Sequence, residues 1–243
     1  MSLEILALAP IAFLGALVYG ITGFGAALVA IPLATHFVPL PFALAVFVLL
    51  DLANGLRIGL EAPQHVVRGE VVRLVPMLVA GTVLGITALV NLPRRGALLA
   101  LGVFVVAFAL YSLFARGPRR TLSRGWAWPA GLLGGITSAM FGAGGPPYAI
   151  YLSQRNLAKE AFRSTLAVTS IASISMRLIA FALTGLMSQV AVWVAAAVAL
   201  PAAWIGISTA SHLFRRIRRE TLMRAVALML LASGGSLVAR ALG

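Results

Sequence analysis

The chain has 243 residues, 61% of them hydrophobic and only 10% charged, with a mean hydropathy of +1.02 and a formal net charge of +13. A soluble domain of this size carries roughly 25% charged residues, so the composition excludes a water-soluble globular protein and indicates a polytopic membrane protein. Cysteine is absent, which removes disulfides and thiolate metal sites. The apolar runs are long and continuous, not alternating, which excludes an outer-membrane barrel.

In chain order, apolar segments fall at about 4–20, 25–38, 40–58, 72–91, 96–114, 126–141, 145–154, 163–184, 190–213 and 221–240. Most reach the ~20 residues that a transmembrane helix needs, and three fall short. The start, "MSLEILALAP", lacks the basic region of a signal peptide, so no cleavage is expected. Of the 19 basic residues, 18 are arginine, and nearly all lie between apolar segments. Their placement reads as membrane topology, with no nucleic-acid partner.

The landmarks recur. Gly15-x7-Gly23-x-Gly25-Ala26 is matched by Gly134-x7-Gly142-x-Gly144-Gly145 at an offset of 119, and Leu33 maps onto Leu152. Pro76-x4-Gly81-x3-Gly85 is matched by Pro201-x4-Gly206-x3-Ala210 at an offset of 125. Arg57 and Arg177 fall within a residue of equivalence under the first offset. Such two-fold repeats are common in transporters. The expected division is a first repeat, 1–115, and a second, 125–243, within one integral membrane domain.

Each half opens with two apolar arms around a glycine-rich tip. The pair is either one broken span or a re-entrant hairpin, and charge separates the two arrangements. With hairpins, fifteen basic residues fall on one side, Arg94, Arg95 and Arg240 on the other, and Arg177 inside a span. With broken spans the loops split seven against ten. Only hairpins obey the positive-inside rule. Each half is then a hairpin plus three transmembrane helices, the second half enters from the opposite side, and the repeats are inverted. The expected fold is therefore an all-α inverted repeat whose two tips, one dipping from outside and one from the cytoplasm, meet near the midplane.

Non-helical backbone at membrane depth must be buried in protein or line a cavity. The helix after each tip, expected to start near Ala26 and Pro147, opens with free N–H groups and the positive end of its dipole. Two such ends facing each other form an anion site without a charged side chain. Close packing alone is the competing role for these glycines. A nucleotide phosphate loop does not fit, since no GK[ST] follows the glycines and no strand precedes them.

Thr165, Thr169, Ser173 and Arg177 recur every fourth residue and share one helix face. Such a stripe belongs in the bundle interior, where ionisable groups are functional candidates. Outward snorkelling of Arg177 is the alternative. Asp51, the sole aspartate, falls near the middle of its span, with Asn54 and Arg57 on the same face. A buried carboxylate there can carry a coupling proton or form a structural ion pair. Tyr148 and Tyr151 follow the second tip and read mainly as packing, with pocket lining as the alternative. His36, His65 and His212 stand far apart with no metal-binding spacing, and nothing calls for a cofactor. The four tryptophans read mainly as interface anchors or lipid-facing bulk.

The paired tips "GFGA" and "FGAGGPP", the "FRSTLAV" start of the following span and the P-x4-G spans together resemble the sulfite exporter TauE/SafE family of membrane permeases. The resemblance covers nearly the whole chain. It implies transport of small sulfur-containing anions, such as sulfite or organosulfonates, across the bacterial inner membrane. It also implies that the tips bind, which maps onto Gly23, Gly25, Gly142, Gly144 and Gly145. The first tip departs from the triple-glycine pattern, with Ala26 where the second has Gly145, and Tyr151 stands at the position of Pro32.

The expected anion site is thus Gly23, Phe24, Gly25 and Ala26 from the first tip, Gly142, Ala143, Gly144 and Gly145 from the second, and Thr169, Ser173 and Arg177 from the stripe. Asp51 is the expected proton-coupling residue. The partners are the anion and the lipid bilayer. Carriers of small carboxylates or other inorganic anions share these features. An embedded enzyme would need a cluster of acids, histidines or a nucleophile at one depth, which the six scattered acids do not supply. A non-transporting membrane assembly subunit would not need the buried polar stripe.

Overall fold

The computed structural model describes residues 3–22, 26–59, 63–114, 121–216 and 219–242, so Gly23, Phe24 and Gly25 of the first tip lie outside the described residues. Among the described residues the protein is helical, without strands. The first five helices are α1 (Leu3–Thr22), α2 (Ala26–Ala34), α3 (Leu40–Gly59), α4 (Arg68–Asn91) and α5 (Arg94–Phe114). The next five are α6 (Ala127–Phe141), α7 (Gly145–Ser153), α8 (Lys159–Leu183), α9 (Val190–Arg216) and α10 (Arg219–Leu242).

Seven of these helices are long and apolar enough to cross a membrane. Their outward faces carry bare apolar side chains, such as Val83 and Leu84 on α4, Val103 and Phe114 on α5, and Trp193 and Trp204 on α9. In water such a surface would be a liability; in lipid it is the required solvent contact. α1 is itself span-length at 20 residues, yet it does not continue into α2. Gly15 of α1 faces Ala26 and Ala30 of α2, with room for a Cβ only 3.0 Å from either, so α2 folds back along α1. Likewise Gly134 of α6 faces Tyr148 and the Gly144 carbonyl, which places α7 back along α6.

The helix bounds follow local chemistry. Proline sits in the first turn of α3 (Pro41) and of α7 (Pro146, Pro147), where a missing N–H costs no helix bond. Pro10, Pro32, Pro76 and Pro201 lie within helices, which packed neighbours tolerate in a bundle. α4 and α8 begin four residues before the apolar segments do, at Arg68 and Lys159. Their first turns are helical but charged, so hydropathy does not mark them.

Packing among the long helices rests on missing side chains. A Cβ on Gly81 would meet the Leu132 carbonyl, Gly135 and Ile136, so the α4 and α6 backbones touch. A Cβ on Gly206 would meet the Phe13 carbonyl, Ala16 and Leu17, so α9 touches α1 in the same way. Each of Phe13, Ala16 and Leu17 stands 119 residues before its counterpart in the α6 set. Both pairs run parallel. In contrast α5 and α10 run antiparallel, since Gly102 meets Val238 while Gly234 meets Val105 and Val106. α3 and α8 are also antiparallel: Asp51 reaches Arg177, whereas Gly55 lies against Ile171 and Ile174.

The short arms are pinned at opposite ends of the bundle. After α2, His36 shares a hydrogen bond with Ser236 of α10 (3.0 Å), and Arg240 donates to the Thr35 carbonyl (3.2 Å). After α7, Arg155 donates to Glu70 of α4 (3.2 Å) and to the Leu122 carbonyl. Glu70 is buried, and the Tyr151 hydroxyl also donates to it. Nearby, the Val67 N–H donates to Thr165 Oγ1 at 2.9 Å. This second end holds Arg68, Arg73, Arg124, Arg155, Lys159 and Arg163 and is the arginine-rich end.

Candidate functional site

α6 ends at Gly142, whose φ of 71° is the left-handed conformation that closes a helix. The Gly142 and Ala143 N–H groups turn back to the Ser138 and Thr137 carbonyls. Gly144 and Gly145 then open α7. Their N–H groups precede the first internal bond of that helix, while Pro146 and Pro147 contribute none. The second tip therefore offers a narrow pair of donors and not a full turn of them.

The start of α2 meets this tip. A Cβ on Gly142 would lie 2.9 Å from the Ala27 methyl and 3.4 Å from Ile31. Ala26, Ala27 and residues 142–145 all line one cavity deep in the bundle. Hydroxyls complete its wall: Tyr19 from α1, Ser138 from α6, Tyr148 from α7, and Ser170 and Ser173 from α8. Tyr148 donates to Ser170 at 3.1 Å. Ser173 Oγ is buried beside the Tyr148 hydroxyl and makes no well-formed hydrogen bond among the described residues, an uncommon condition for a buried hydroxyl. A Cβ on Gly144 would come 2.9 Å from that oxygen.

Asp51 lines the same cavity. Arg177 Nη2 donates to its Oδ2 at 2.7 Å, and Nη1 donates to the Ser138 carbonyl at 3.3 Å. The guanidinium also presses on the tip, since Nη1 would be 2.8 Å from a Cβ on Gly142. With only 1% of its surface exposed, Arg177 points into the bundle and does not snorkel. Its charge lies beside the last carbonyls of α6, the negative end of that helix.

The cavity has about 20 Å³ of water-accessible space, enough for roughly one water molecule. A larger groove of about 800 Å³ is lined by Arg57, Trp204, Ile205, Ser208 and Thr209. It opens on the outward, lipid-facing stripe of α9, where Trp204 and Ile205 are exposed, and no described tip residue is among those that line it.

A family comparison matches residues 8–237 to the sulfite exporter TauE/SafE family. The chain belongs to that family. Among curated relatives, the probable inner membrane transporter protein TsaS of Comamonas testosteroni is 30% identical over 196 residues, covering 76% of this chain and 82% of the relative. No solved structure matches the chain. With seven helices long enough to span the bilayer, this TauE/SafE protein is a multi-pass transporter of the inner membrane.

Of the expected site residues, Ala26, Gly142, Ala143, Gly144, Gly145, Ser173 and Asp51 line the cavity, and Arg177 backs it. Gly23, Phe24 and Gly25 lie outside the described residues. Thr169 is buried but donates to the Thr165 carbonyl (2.8 Å), one turn from the cavity. Sequence reasoning did not single out Tyr19, Ser138 or Ser170, and it read Tyr148 mainly as packing. Ser170 was findable, since it stands three residues before Ser173 on a neighbouring face of the same helix. Tyr19 and Ser138 each precede a tip glycine by four residues.

Proposed function

We propose that this protein carries small sulfur-containing anions, sulfite or an organosulfonate, and binds one anion where the ends of α2 and α7 meet. The observation that carries this reading is the convergence of two helix N-termini on one deep cavity, where the buried Ser173 hydroxyl makes no well-formed hydrogen bond among the described residues. The free N–H groups of Ala26, Ala27, Gly144 and Gly145 hold the anion's oxygens. Ser173 adds a hydrogen bond and Arg177 supplies positive charge. Thr169 continues the hydroxyl stripe toward the arginine-rich, cytoplasmic end. The described tip residues are joined by Gly23, Phe24 and Gly25 in this scheme. A sulfonate group exceeds the cavity, so its arrival separates the two helix ends.

In this reading the chain is two inverted repeats, 1–115 and 125–243, each a re-entrant hairpin plus three transmembrane helices. Support comes from the Gly81 and Gly206 junctions, whose partners stand 119 residues apart. The antiparallel packing of α5 on α10 and of α3 on α8 adds to it, because equivalent helices meet head to tail only when one half is inverted. Rocking of one repeat against the other exposes the site to each side in turn. The protein has no catalytic role in this scheme.

A carrier of small carboxylates would use the same cradle. A thermal-shift panel of sulfite, sulfoacetate, taurine and acetate on the purified protein separates the readings, since a ligand at 100 times its Kd adds about 2.7 kcal/mol to the folded state. Sulfite or sulfoacetate is expected to raise the melting temperature and acetate to leave it unchanged. A rise with acetate alone would move the reading to carboxylates. A flat panel would favour a non-transporting assembly subunit.

A further inference from the structure

The Arg177 charge already has a negative partner. Nη2 is held 2.7 Å from Asp51 Oδ2, Nη1 by the Ser138 carbonyl, and Nε has no partner among the described residues. One carboxylate and one guanidinium leave the site neutral. A monovalent sulfonate seated between Ala26–Ala27 and Gly144–Gly145 would add a second negative charge within reach of Asp51, in a cavity with about 20 Å³ of water-accessible space. Two anions that close in a low dielectric do not both stay ionised cheaply.

Something must absorb that charge, and the groups facing Asp51 are few. α8 presents Arg177, already a cation. Tyr19 of α1 and Tyr148 of α7 line the cavity as phenols, which can donate hydrogen bonds but accept no positive charge. Ser138 of α6 and Ser170 and Ser173 of α8 are hydroxyls. α2 has no ionisable side chain, and α9 has none between Val190 and Ala210. On its own helix, Arg57 is exposed and turned toward α9. Among the described residues that line the cavity, Asp51 is the group that can take up a proton.

We propose that the anion and the Asp51 carboxylate compete for the Arg177 guanidinium, so that each monovalent sulfonate binds together with one proton on Asp51. This rests on the anion site proposed above and names its coupling. A proton from solvent bonds to an Asp51 carboxylate oxygen, and the neutral acid releases Nη2. The guanidinium, with Nε also unclaimed, turns to the anion. The site passes from Asp⁻/Arg⁺ to AspH/Arg⁺/anion⁻ and stays neutral. On release the anion leaves, the proton returns to solvent, and Asp51 pairs with Arg177 again. Because the occupied and unoccupied sites are both neutral, neither is held on one face by the membrane potential, which acts on each net charge with about 2.3 kcal/mol per 100 mV. Proton and sulfonate therefore move in the same direction, and without net charge.

Methanesulfonate is the probe, because it stays ionised and takes up no proton of its own. It is titrated into the purified full chain in weakly buffered detergent with a pH-sensitive dye, and binding is followed by calorimetry. The expected result is close to one proton taken up per anion bound. In the range where Asp51 is ionised before binding, affinity should fall about tenfold per pH unit as pH rises, the slope for one linked proton. Asp51→Asn should bind methanesulfonate with no proton uptake and no pH dependence. Binding by the wild type without proton uptake would overturn the coupling and leave the anion site standing, and so would proton uptake that persists in Asp51→Asn. No binding of any panel anion at any pH would overturn the anion site itself, and the coupling with it. The wild-type proton count decides the matter alone if Asp51→Asn does not fold.

Discussion

Arg177 of α8 and Asp51 of α3, 126 residues apart in sequence, meet at 2.7 Å with almost no exposure. The pair joins the two antiparallel central helices at the depth where the short helices α2 and α7 begin. Removing one member leaves the other charged and buried, which typically costs about 3–5 kcal/mol. Arg177→Gln should therefore melt well below the wild type. Adding Asp51→Asn should recover much of that loss, because the stranded carboxylate becomes a neutral amide. Thermal denaturation of both singles and the double closes the cycle; purely additive effects would show that the two residues do not act as a pair.

Ser173 tests the cavity with little change to the fold. Its hydroxyl makes no well-formed hydrogen bond among the described residues, with the Tyr148 hydroxyl its neighbour, so Ser173→Ala should change the melting temperature of the unliganded protein little. Loss of one hydrogen bond to an anion should weaken binding by about 1.5–3 kcal/mol, roughly ten- to a hundredfold in Kd. Calorimetric titration of the variant checks it.

Gly142 is constrained twice, by its left-handed backbone and by Arg177 against its Cα. Gly142→Ala adds roughly 1–2 kcal/mol of backbone strain and a methyl that pushes the guanidinium off Ser138. Transport should fall sharply while the purified protein remains folded. Uptake assays paired with circular dichroism distinguish this from simple unfolding.

Glu70 fastens the base of the second hairpin by accepting hydrogen bonds from Tyr151 (2.5 Å) and Arg155 (3.2 Å). Glu70→Gln weakens both charge-assisted bonds, each worth about 1.5–3 kcal/mol. Trypsin should then cut after Arg155 faster than in the wild type when the arginine-rich face is accessible, as in inverted vesicles. An unchanged cleavage rate would mean that the hairpin base is held by other contacts.

The α4–α6 contact has no room for a side chain, since a Cβ on Gly135 would lie 2.7 Å from the Thr82 nitrogen. Gly135→Leu should prevent the helices from closing, at a cost above the roughly 1–3 kcal/mol usual for overpacking, because the obstruction is backbone. Loss of monodisperse protein on size-exclusion chromatography is the expected result. Gly235, with open space around its Cα, should accept alanine without such loss.

Helix positions were legible because lipid forces apolar character on every buried turn, and the glycine and proline landmarks marked both hairpins. The starts of α4 and α8 were not, since the residues there are helical but charged and break the apolar pattern. The stripe of Thr165, Thr169, Ser173 and Arg177 was visible from its spacing. Its pairing with Asp51 was not, because periodicity within one helix carries no information about which helix faces it. Glu70 escaped notice for a similar reason: at the start of a span it reads as a solvated charge until Tyr151 and Arg155 are seen to close over it. Ser138 and Tyr19 point into the cavity only because α6 and α1 approach their tips at particular rotations, which packing against α4 and α9 sets.

The central claim is that a sulfur oxyanion crosses the membrane through the site between α2 and α7. Uptake of radiolabelled sulfoacetate into liposomes containing the purified protein tests it most directly, with Ser173→Ala as the matched control. The account predicts saturable uptake by the wild type, inhibited by sulfite but not by acetate, and a clear reduction in the variant at subsaturating substrate. Uptake no greater than in protein-free liposomes, or uptake untouched by Ser173→Ala, would contradict it.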